Sequence, residues 1–165
     1  MSAPAASTIA RVKRAFDQPA EAVFEAWLEP SLARQFFFAT PPAGEVVRCD
    51  IEPGIGGRFI VTDRRRANDG RDTLDVEHVG RFLQLDSPRR LAFSFLVPRY
   101  SPRETSVIID IEPQGDACEL TLRHDLGAGS DAAQQRERAE HGWQTMLENL
   151  ARVLARAGDQ PAKLR

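Results

Sequence analysis

The chain has 165 residues, of which 42% are apolar and 28% are charged, and its formal net charge is −2. This length and composition are those of one ordinary globular domain with a substantial core. Both signs of charge are scattered along the chain, which argues against nucleic acid as the main partner because that would call for a basic face. No apolar run approaches the roughly 20 residues of a membrane-spanning helix.

The two ends of the chain and its cysteines bear on location. The N-terminal stretch MSAPAASTIA lacks the basic start and long apolar core of a signal peptide, and we expect residues 1–7 to be frayed. Cys49 and Cys118 lie in strand-like segments and belong to no CxxC pair, which predicts two free, buried thiols in a reducing cytoplasm. We expect one domain over residues 1–165, with an ordered core at about 8–157 and a second tail at 158–165.

The first 44 residues predict one strand, two short helices and a loop. Residues 8–16 are β-prone. A helix is predicted over residues 20–28, with Pro19 in the first helical position. Ser31 is predicted as the N-cap of a second short helix. The three consecutive phenylalanines at 36–38 are too apolar for open solvent and are predicted to close one end of the core.

From Glu45 onward the apolar pattern has a period of two, which is typical of β-strands. Short turns rich in Gly, Pro, Asn and Asp separate the runs, so we expect an antiparallel meander. The alternation is clean where Val107 and Ile109 oppose Asp110, which indicates one apolar and one wet face. The six predicted strands are 45–53, 57–64, 74–86, 90–98, 104–113 and 117–125.

A long amphipathic helix is predicted near the end of the chain, with Ser130 as its N-cap. Its apolar stripe is expected to lie on the sheet, with Gln144, Glu148 and Arg152 on the opposite face. Gly142 interrupts it at a cost of roughly 1 kcal/mol relative to alanine. We interpret Gly142 as a place where a neighbouring strand comes close, the alternative being room for a ligand. The stripe comprises Ala139, Trp143, Met146, Leu147, Leu150, Val153, Leu154 and Ala157.

This order of elements is a helix-grip arrangement, an α+β fold in which a curved antiparallel sheet wraps around the C-terminal helix. RAFDQPAEAVFEAWLEPSLARQFF resembles the opening of the chaperone-ATPase-activator-like branch of the START/SRPBCC superfamily, which includes the birch pollen allergen. The resemblance continues through IEPGIGGRF, VGRFLQLDSPRRLAFSF, TSVIIDIEP, ELTLRHD and HGWQTMLENLARVL, and covers nearly all of residues 9–155 in order. The chain departs from the family at Phe37, where many relatives carry Trp, and in the long polar loop RRRANDGRD.

The resemblance implies an apolar cavity between the sheet and the C-terminal helix. In this superfamily the cavity binds lipids, sterols, polyketides or similar molecules, some members catalyse polyketide cyclisation or dehydration, and some regulate a chaperone ATPase. Fold therefore does not fix function. We expect the cavity to have Arg136 and His141 at its mouth and to be lined by Phe59, Phe93, Phe95, Val107, Ile109, Leu122, His124, Trp143, Met146, Leu147 and Leu150.

His124 is the candidate for acid–base chemistry, because it ends an inward-facing row and histidine titrates near neutrality. The competing interpretation is a histidine hydrogen-bonded at the rim of the sheet, since the sequence supplies no orienting partner. Arg136 falls on the inward stripe of the long helix, two turns before Trp143, and could meet a carboxylate or phosphate at the mouth, or extend past the sheet edge with its charge in water. His78 has no metal-ligand spacing to the other histidines, so neither a metal site nor a cofactor is predicted.

The residues and the resemblance together predict a cytoplasmic protein, monomeric or dimeric, that binds a hydrophobic small molecule. One alternative is a polyketide cyclase or dehydratase that uses His124 as its base. The other is an interaction module that regulates a chaperone through its surface. No enzymatic activity is assigned.

Overall fold

The structure is a computed structural model that describes residues 6–41, 43–66, 70–129 and 131–159. Within these ranges the chain has the predicted order of one strand, two short helices, six strands and a long helix. None of the helices in these ranges is long and apolar enough to cross a membrane. The elements are β1 (Ile9–Phe16), α1 (Ala20–Ala26), α2 (Pro30–Ala33), β2 (Gly44–Ile51), β3 (Arg58–Arg66), β4 (Thr73–Asp86), β5 (Arg90–Leu96), β6 (Thr105–Gln114), β7 (Ala117–Asp125) and α3 (Ala132–Asp159).

The seven strands in the described ranges form one antiparallel sheet in the order β1-β7-β6-β5-β4-β3-β2. From β2 to β7 each strand pairs with the next one along the chain, which confirms the predicted meander. β1 then pairs with β7, where Ala10 lies opposite His124. The row continues as His124 opposite Val107 and Val107 opposite Phe93. Apolar residues from distant parts of the sequence thus share one face.

α3 lies on this face with the predicted stripe. Trp143, Leu147, Leu150, Val153 and Leu154 are buried, Met146 and Ala139 are partly buried, and the opposite residues Gln144, Glu148 and Arg152 are exposed. The stripe is shorter than predicted, because Ala157 is exposed beyond the contact with the sheet. α3 also continues through Gly158 to Asp159, so the predicted tail begins later than residue 158. The predicted N-cap, Ser130, lies outside the described residues.

The N-caps of the two short helices differ from the predicted ones. Pro19 is the N-cap of α1 and not its first helical residue. α2 begins at Pro30 with Glu29 as N-cap, so the assignment of Ser31 to that position is wrong. The physical reason is that the Glu29 carboxylate accepts a hydrogen bond from the Ser31 N–H at 3.4 Å, which is the capping interaction expected of a serine hydroxyl.

Both edges of the sheet carry features that oppose pairing with another chain. At β2 the register shifts between Val46 and Arg48, and the Arg34 guanidinium donates to the Val46 carbonyl at 3.4 Å. At β1 the Arg11 N–H donates to the Glu140 carboxylate of α3 at 2.9 Å. A bulge or an edge group that is already hydrogen-bonded hinders the pairing of an edge strand with a strand of another chain.

Gly142 does not mark a close approach. A Cβ atom there would meet nothing within 4 Å, so our interpretation that a strand comes too near for a side chain is wrong. A close approach is found instead at Gly80 of β4, where a Cβ atom would overlap the Phe59 ring and the Ser94 carbonyl. Gly80 therefore allows an aromatic side chain to cross over the strand.

The two cysteines are free, as predicted. Cys118 is buried, but Cys49 is only half-buried because it lies on the edge strand β2. Burial raises the pKa of the Cys49 thiol to about 11 and also raises the pKa of Cys118. Both thiols are therefore protonated at neutral pH and poorly nucleophilic.

Candidate functional site

The predicted cavity residues come together between the sheet and α3. Phe59, Phe93, Phe95, Val107, Ile109, Leu122, Trp143, Leu147 and Leu150 belong to one buried cluster, against which Met146 packs while partly exposed. His124 is buried beside them. Arg136 and His141 are exposed on α3, so the inward position predicted for Arg136 is wrong. Ala132, one turn earlier, is buried against Ala10 and Leu126, so α3 contacts the sheet there through a small side chain while Arg136 is exposed.

His124 on β7 has both ring nitrogens hydrogen-bonded, one to a side chain of β6 and one to a side chain of α3. The Trp143 indole N–H donates to His124 Nδ1 at 3.1 Å. Because an indole nitrogen can only donate, Nδ1 is unprotonated, so Nε2 carries the proton and donates it to Thr105 Oγ1 at 2.8 Å. Burial lowers the pKa of His124 to about 4.

This geometry supports the interpretation of His124 as a hydrogen-bonded histidine of the sheet. Its basic nitrogen is occupied by Trp143, so a substrate proton would have to displace the indole. The orienting partner that the sequence did not reveal is on α3, 19 residues further along the chain. The arrangement fixes the imidazole tautomer and ties α3 to the sheet.

A second buried histidine, His78 on β4, was not predicted as part of the site. It is 6% exposed, and its Nδ1 donates to the Val61 carbonyl at 3.2 Å. Burial lowers the pKa of His78 to about 4, so this ring is also neutral near pH 7. The sequence signal was available, because the period of two in DVEHVGRF places His78 on the same face as Val76 and Phe82.

The His78 imidazole stacks on Phe38, another residue that sequence analysis did not assign to the site. The two ring centroids are 4.1 Å apart with an interplanar angle of 9°. Phe38 is 6% exposed and lies at the centre of an aromatic cluster. Its other ring neighbours are Phe37 at 4.4 Å, Phe95 at 4.8 Å, Trp143 at 5.8 Å and Phe59 at 6.4 Å. The three buried phenylalanines at 36–38 confirm that this segment closes the core.

Phe38 has an unfavourable backbone conformation. Its φ is 55°, and it is the one non-glycine residue in the described ranges with a positive φ. The left-handed region costs a residue with a side chain roughly 1–2 kcal/mol. The Phe38 N–H donates to the Met146 sulfur at 3.5 Å, and a thioether is a weak acceptor. Side-chain contacts therefore hold Phe38 in place more than its backbone does.

Asp63 on β3 brings a charge into the same part of the interior. It is 0% exposed, and its Oδ2 accepts from Thr40 Oγ1 at 2.7 Å and from Arg65 Nε at 2.9 Å. Oδ1 has no hydrogen-bond partner among the described residues. Arg65 compensates the charge. A Cβ atom at Gly44 would overlap the Thr40 hydroxyl, so glycine there leaves room for the Thr40–Asp63 bond.

The remaining groove, ion pair and acidic or histidine groups among the described residues do not suggest a second functional site. A groove of about 410 Å³ lies between β1 and α3, but both signs of charge line it, through Arg14, Asp17, Glu148 and Arg152. Arg64 forms an exposed ion pair with Asp75 at 2.8 Å, as expected of a solvated hairpin end. No group of three or more His, Cys, Asp or Glu within the described ranges could hold a metal ion.

Comparison with known proteins establishes the family. No protein with a curated description matches the chain in sequence. A structure from Rhodobacter sphaeroides is 23% identical with a TM-score of 0.74, and the match covers 93% of this chain and 95% of that one. A structure from Nitrosomonas europaea is 21% identical with a TM-score of 0.73 and coverages of 92% and 97%. An AHSA1-like protein from Aeromonas hydrophila is 23% identical with a TM-score of 0.64 and coverages of 94% and 99%.

At these identities the structures show a shared fold. The family itself follows from a sequence model for "Activator of Hsp90 ATPase homolog 1-like protein", which matches residues 17–155. This match agrees with the resemblance to the START/SRPBCC superfamily and with the observed sheet and C-terminal helix. The chain belongs to the family of Activator of Hsp90 ATPase homolog 1-like proteins.

Proposed function

We propose that the protein binds a hydrophobic small molecule between the sheet and α3. The observation that carries the proposal is the aromatic cluster around Trp143, in which rings from β5 and α3 meet Phe38. In the superfamily that the sequence resembles, hydrophobic ligands bind in this place. Met146 is partly exposed at the margin of the cluster, so an apolar molecule that approaches there would meet a flexible apolar side chain.

Apolar burial is the main source of affinity in this proposal. Each Å² of apolar surface removed from water contributes roughly 25 cal/mol. The aromatic rings contact one another, so a ligand has to displace side chains as it enters, and this displacement lowers its affinity. The Met146 thioether suits such a site because methionine is flexible and repacks readily.

The test uses cis-parinaric acid, a fluorescent fatty acid without a ring, and two tryptophan variants. Wild-type protein should enhance its fluorescence. Ile109→Trp adds an indole at a position that is 0% exposed, and should abolish binding while the circular dichroism spectrum is retained. Val47→Trp adds the same side chain at a position that is 37% exposed, and should bind like wild type. Native mass spectrometry of the purified protein should show a co-purified apolar ligand.

A different result would contradict the proposal. If the interior never admits a ligand, the fluorescence of cis-parinaric acid would not change when wild-type protein is added. Ile109→Trp would then overpack the core and lower the free energy of unfolding by about 1–3 kcal/mol. Interaction with a chaperone, suggested by the name of the matching family, would be the surviving function. Cyclase chemistry gains no support from His124, whose basic nitrogen is hydrogen-bonded to Trp143.

We also propose a cytoplasmic location. Cys49 and Cys118 are free, and structural disulfides are rare in reducing compartments. Intact mass measurement of protein purified without reductant should show two thiols, and a disulfide would contradict this assignment.

A further inference from the structure

We propose that Phe38 occupies the subsite of a planar aromatic ring, and that a ligand carrying such a ring enters by displacing Phe38. This inference rests on the proposed function and adds to it the chemical class of the ligand. Three observations support it: the shape of the space that holds the Phe38 ring, the weak hold of the backbone on that ring, and the anchor that follows it in the chain.

The space around Phe38 is suited to a flat ring. Two of its neighbours are nearly parallel to it, His78 at 9° and Phe37 at 21°, with centroids 4.1 and 4.4 Å away. Phe95 and Trp143 are inclined to it at 48° and 56°. Parallel and inclined contacts of this kind favour another aromatic ring over a saturated one of similar size. Because His78 is held by the Val61 carbonyl, this stacking surface remains when Phe38 leaves.

The backbone holds Phe38 weakly. It lies in the turns that follow α2, outside the sheet, and its N–H is bonded to a thioether sulfur. Its φ of 55° is relieved if the segment changes conformation. An incoming aromatic ring would replace the ring contacts that Phe38 gives up, so the exchange loses few interactions.

Thr40 limits the movement to a short segment. Its hydroxyl donates to the fully buried Asp63 carboxylate at 2.7 Å, two residues after Phe38. A hydrogen bond to a buried carboxylate is among the stronger ones in proteins. Displacement of the ring therefore requires rearrangement of Phe38 and Ala39, while Thr40 stays hydrogen-bonded to Asp63 of β3.

The experiment compares 2-naphthol with decahydro-2-naphthol, which has the same fused skeleton and hydroxyl group but is saturated and not flat. Calorimetry on wild-type protein should give 2-naphthol an affinity higher by about tenfold or more. Amide hydrogen exchange measured by NMR should become faster at Phe38 and Ala39 when 2-naphthol binds, and stay unchanged along β6. Equal affinities, or unchanged exchange at Phe38, would overturn the inference.

Variants separate displacement from simple cavity binding. Phe38→Ala removes the competing ring and should bind 2-naphthol about tenfold more tightly than wild type, because the competent state no longer has to be populated first. Phe82→Ala is the matched control: this phenylalanine is also buried and has Phe59 as its ring partner at 5.4 Å. It should bind within about threefold of wild type. A Phe38 variant no tighter than wild type would contradict the displacement.

Two safeguards keep the outcomes distinct. If Phe38→Ala does not fold, Phe38→Leu retains an apolar side chain without the stacking and should still bind 2-naphthol more tightly than wild type. If cis-parinaric acid binds and Ile109→Trp blocks it, while 2-naphthol shows no preference over its saturated analogue, the proposed function stands and this inference fails. If neither fatty acid nor naphthol binds wild type or Phe38→Ala, both fail.

Discussion

The interior contains two buried histidines that are similar in burial and pKa but have different surroundings. His124 is hydrogen-bonded to side chains of β6 and α3, Thr105 and Trp143. His78 is hydrogen-bonded to the backbone of the neighbouring strand, through Val61, and stacks on a ring from a turn. The pKa of each is lowered to about 4 by burial. Equal titration behaviour therefore does not imply an equal role: His124 joins two elements, and His78 provides a flat surface.

The largest expected effect on the free energy of unfolding comes from Trp143, the residue of α3 that is hydrogen-bonded to His124. Trp143→Ala should lower the free energy of unfolding by roughly 3–5 kcal/mol, because a large buried aromatic side chain is removed and His124 Nδ1 loses its donor. Gln144→Ala, on the exposed face of α3, should change it by less than about 0.5 kcal/mol. Urea denaturation measures both values. Similar small effects would mean that α3 does not pack through Trp143.

The pH dependence should involve both histidines. Their folded-state pKa values of about 4 lie below the unfolded value of roughly 6.5, so between these values the unfolded chain binds protons that the folded protein does not. Stability is fully present above about pH 6.5 and is lost as the pH falls towards 4, by up to about 3 kcal/mol for each histidine.

Histidine variants separate the contribution of each histidine to the pH dependence from that of the carboxylates, which also titrate at low pH. Urea unfolding at pH 7 and pH 4.5 should show a smaller loss of stability in His124→Gln than in wild type, by about 2 kcal/mol, because pH 4.5 still lies above the folded-state pKa. His78→Gln should reduce the loss by a similar amount. Identical pH dependence in wild type and both variants would show that folding does not lower the pKa of either histidine.

The hydroxyl groups of Thr40 and Thr105 should contribute differently to the free energy of unfolding. Thr40→Val leaves the buried Asp63 carboxylate with Arg65 alone and should cost about 1.5–3 kcal/mol. Thr105→Val removes a neutral acceptor from His124 and should cost about 0.5–1.5 kcal/mol. Thermal or urea unfolding of the pair decides the order. A larger loss for Thr105→Val would show that the hydrogen bond to neutral His124 contributes more to stability than the hydrogen bond to the buried Asp63 carboxylate.

The smallest expected effect is on thiol reactivity, with no change in stability. Cys49 lies opposite Val61 on the His78 side and is half-buried, whereas Cys118 is fully buried opposite Phe16. Cys49 should react slowly with a thiol reagent, and Cys118 only after unfolding. Alkylation followed by peptide mass spectrometry gives the two rates. Equal alkylation rates of Cys49 and Cys118 under native conditions would show that β2 and β7 open together.

The sequence by itself determined the class and order of the elements. Apolar periods of two and 3.6 predict the strands and α3, and short polar turns predict the meander, because these signals are local. The resemblance to a known family added the helix-grip arrangement. The inward parity of Leu122 and His124 on β7 followed from alternation alone, since successive strand residues point to opposite faces.

Only the tertiary structure decided what the interior residues touch. Trp143 and His124 meet because α3 packs on the face of the sheet to which His124 points, and Phe38 reaches His78 because a turn carries it there in a left-handed conformation. No local pattern encodes such contacts, which depend on the register between strands and on the path of a turn. The position of Asp63 could be predicted from alternation, but its pairing with Thr40 could not, because the two residues meet only after β2 and β3 have paired.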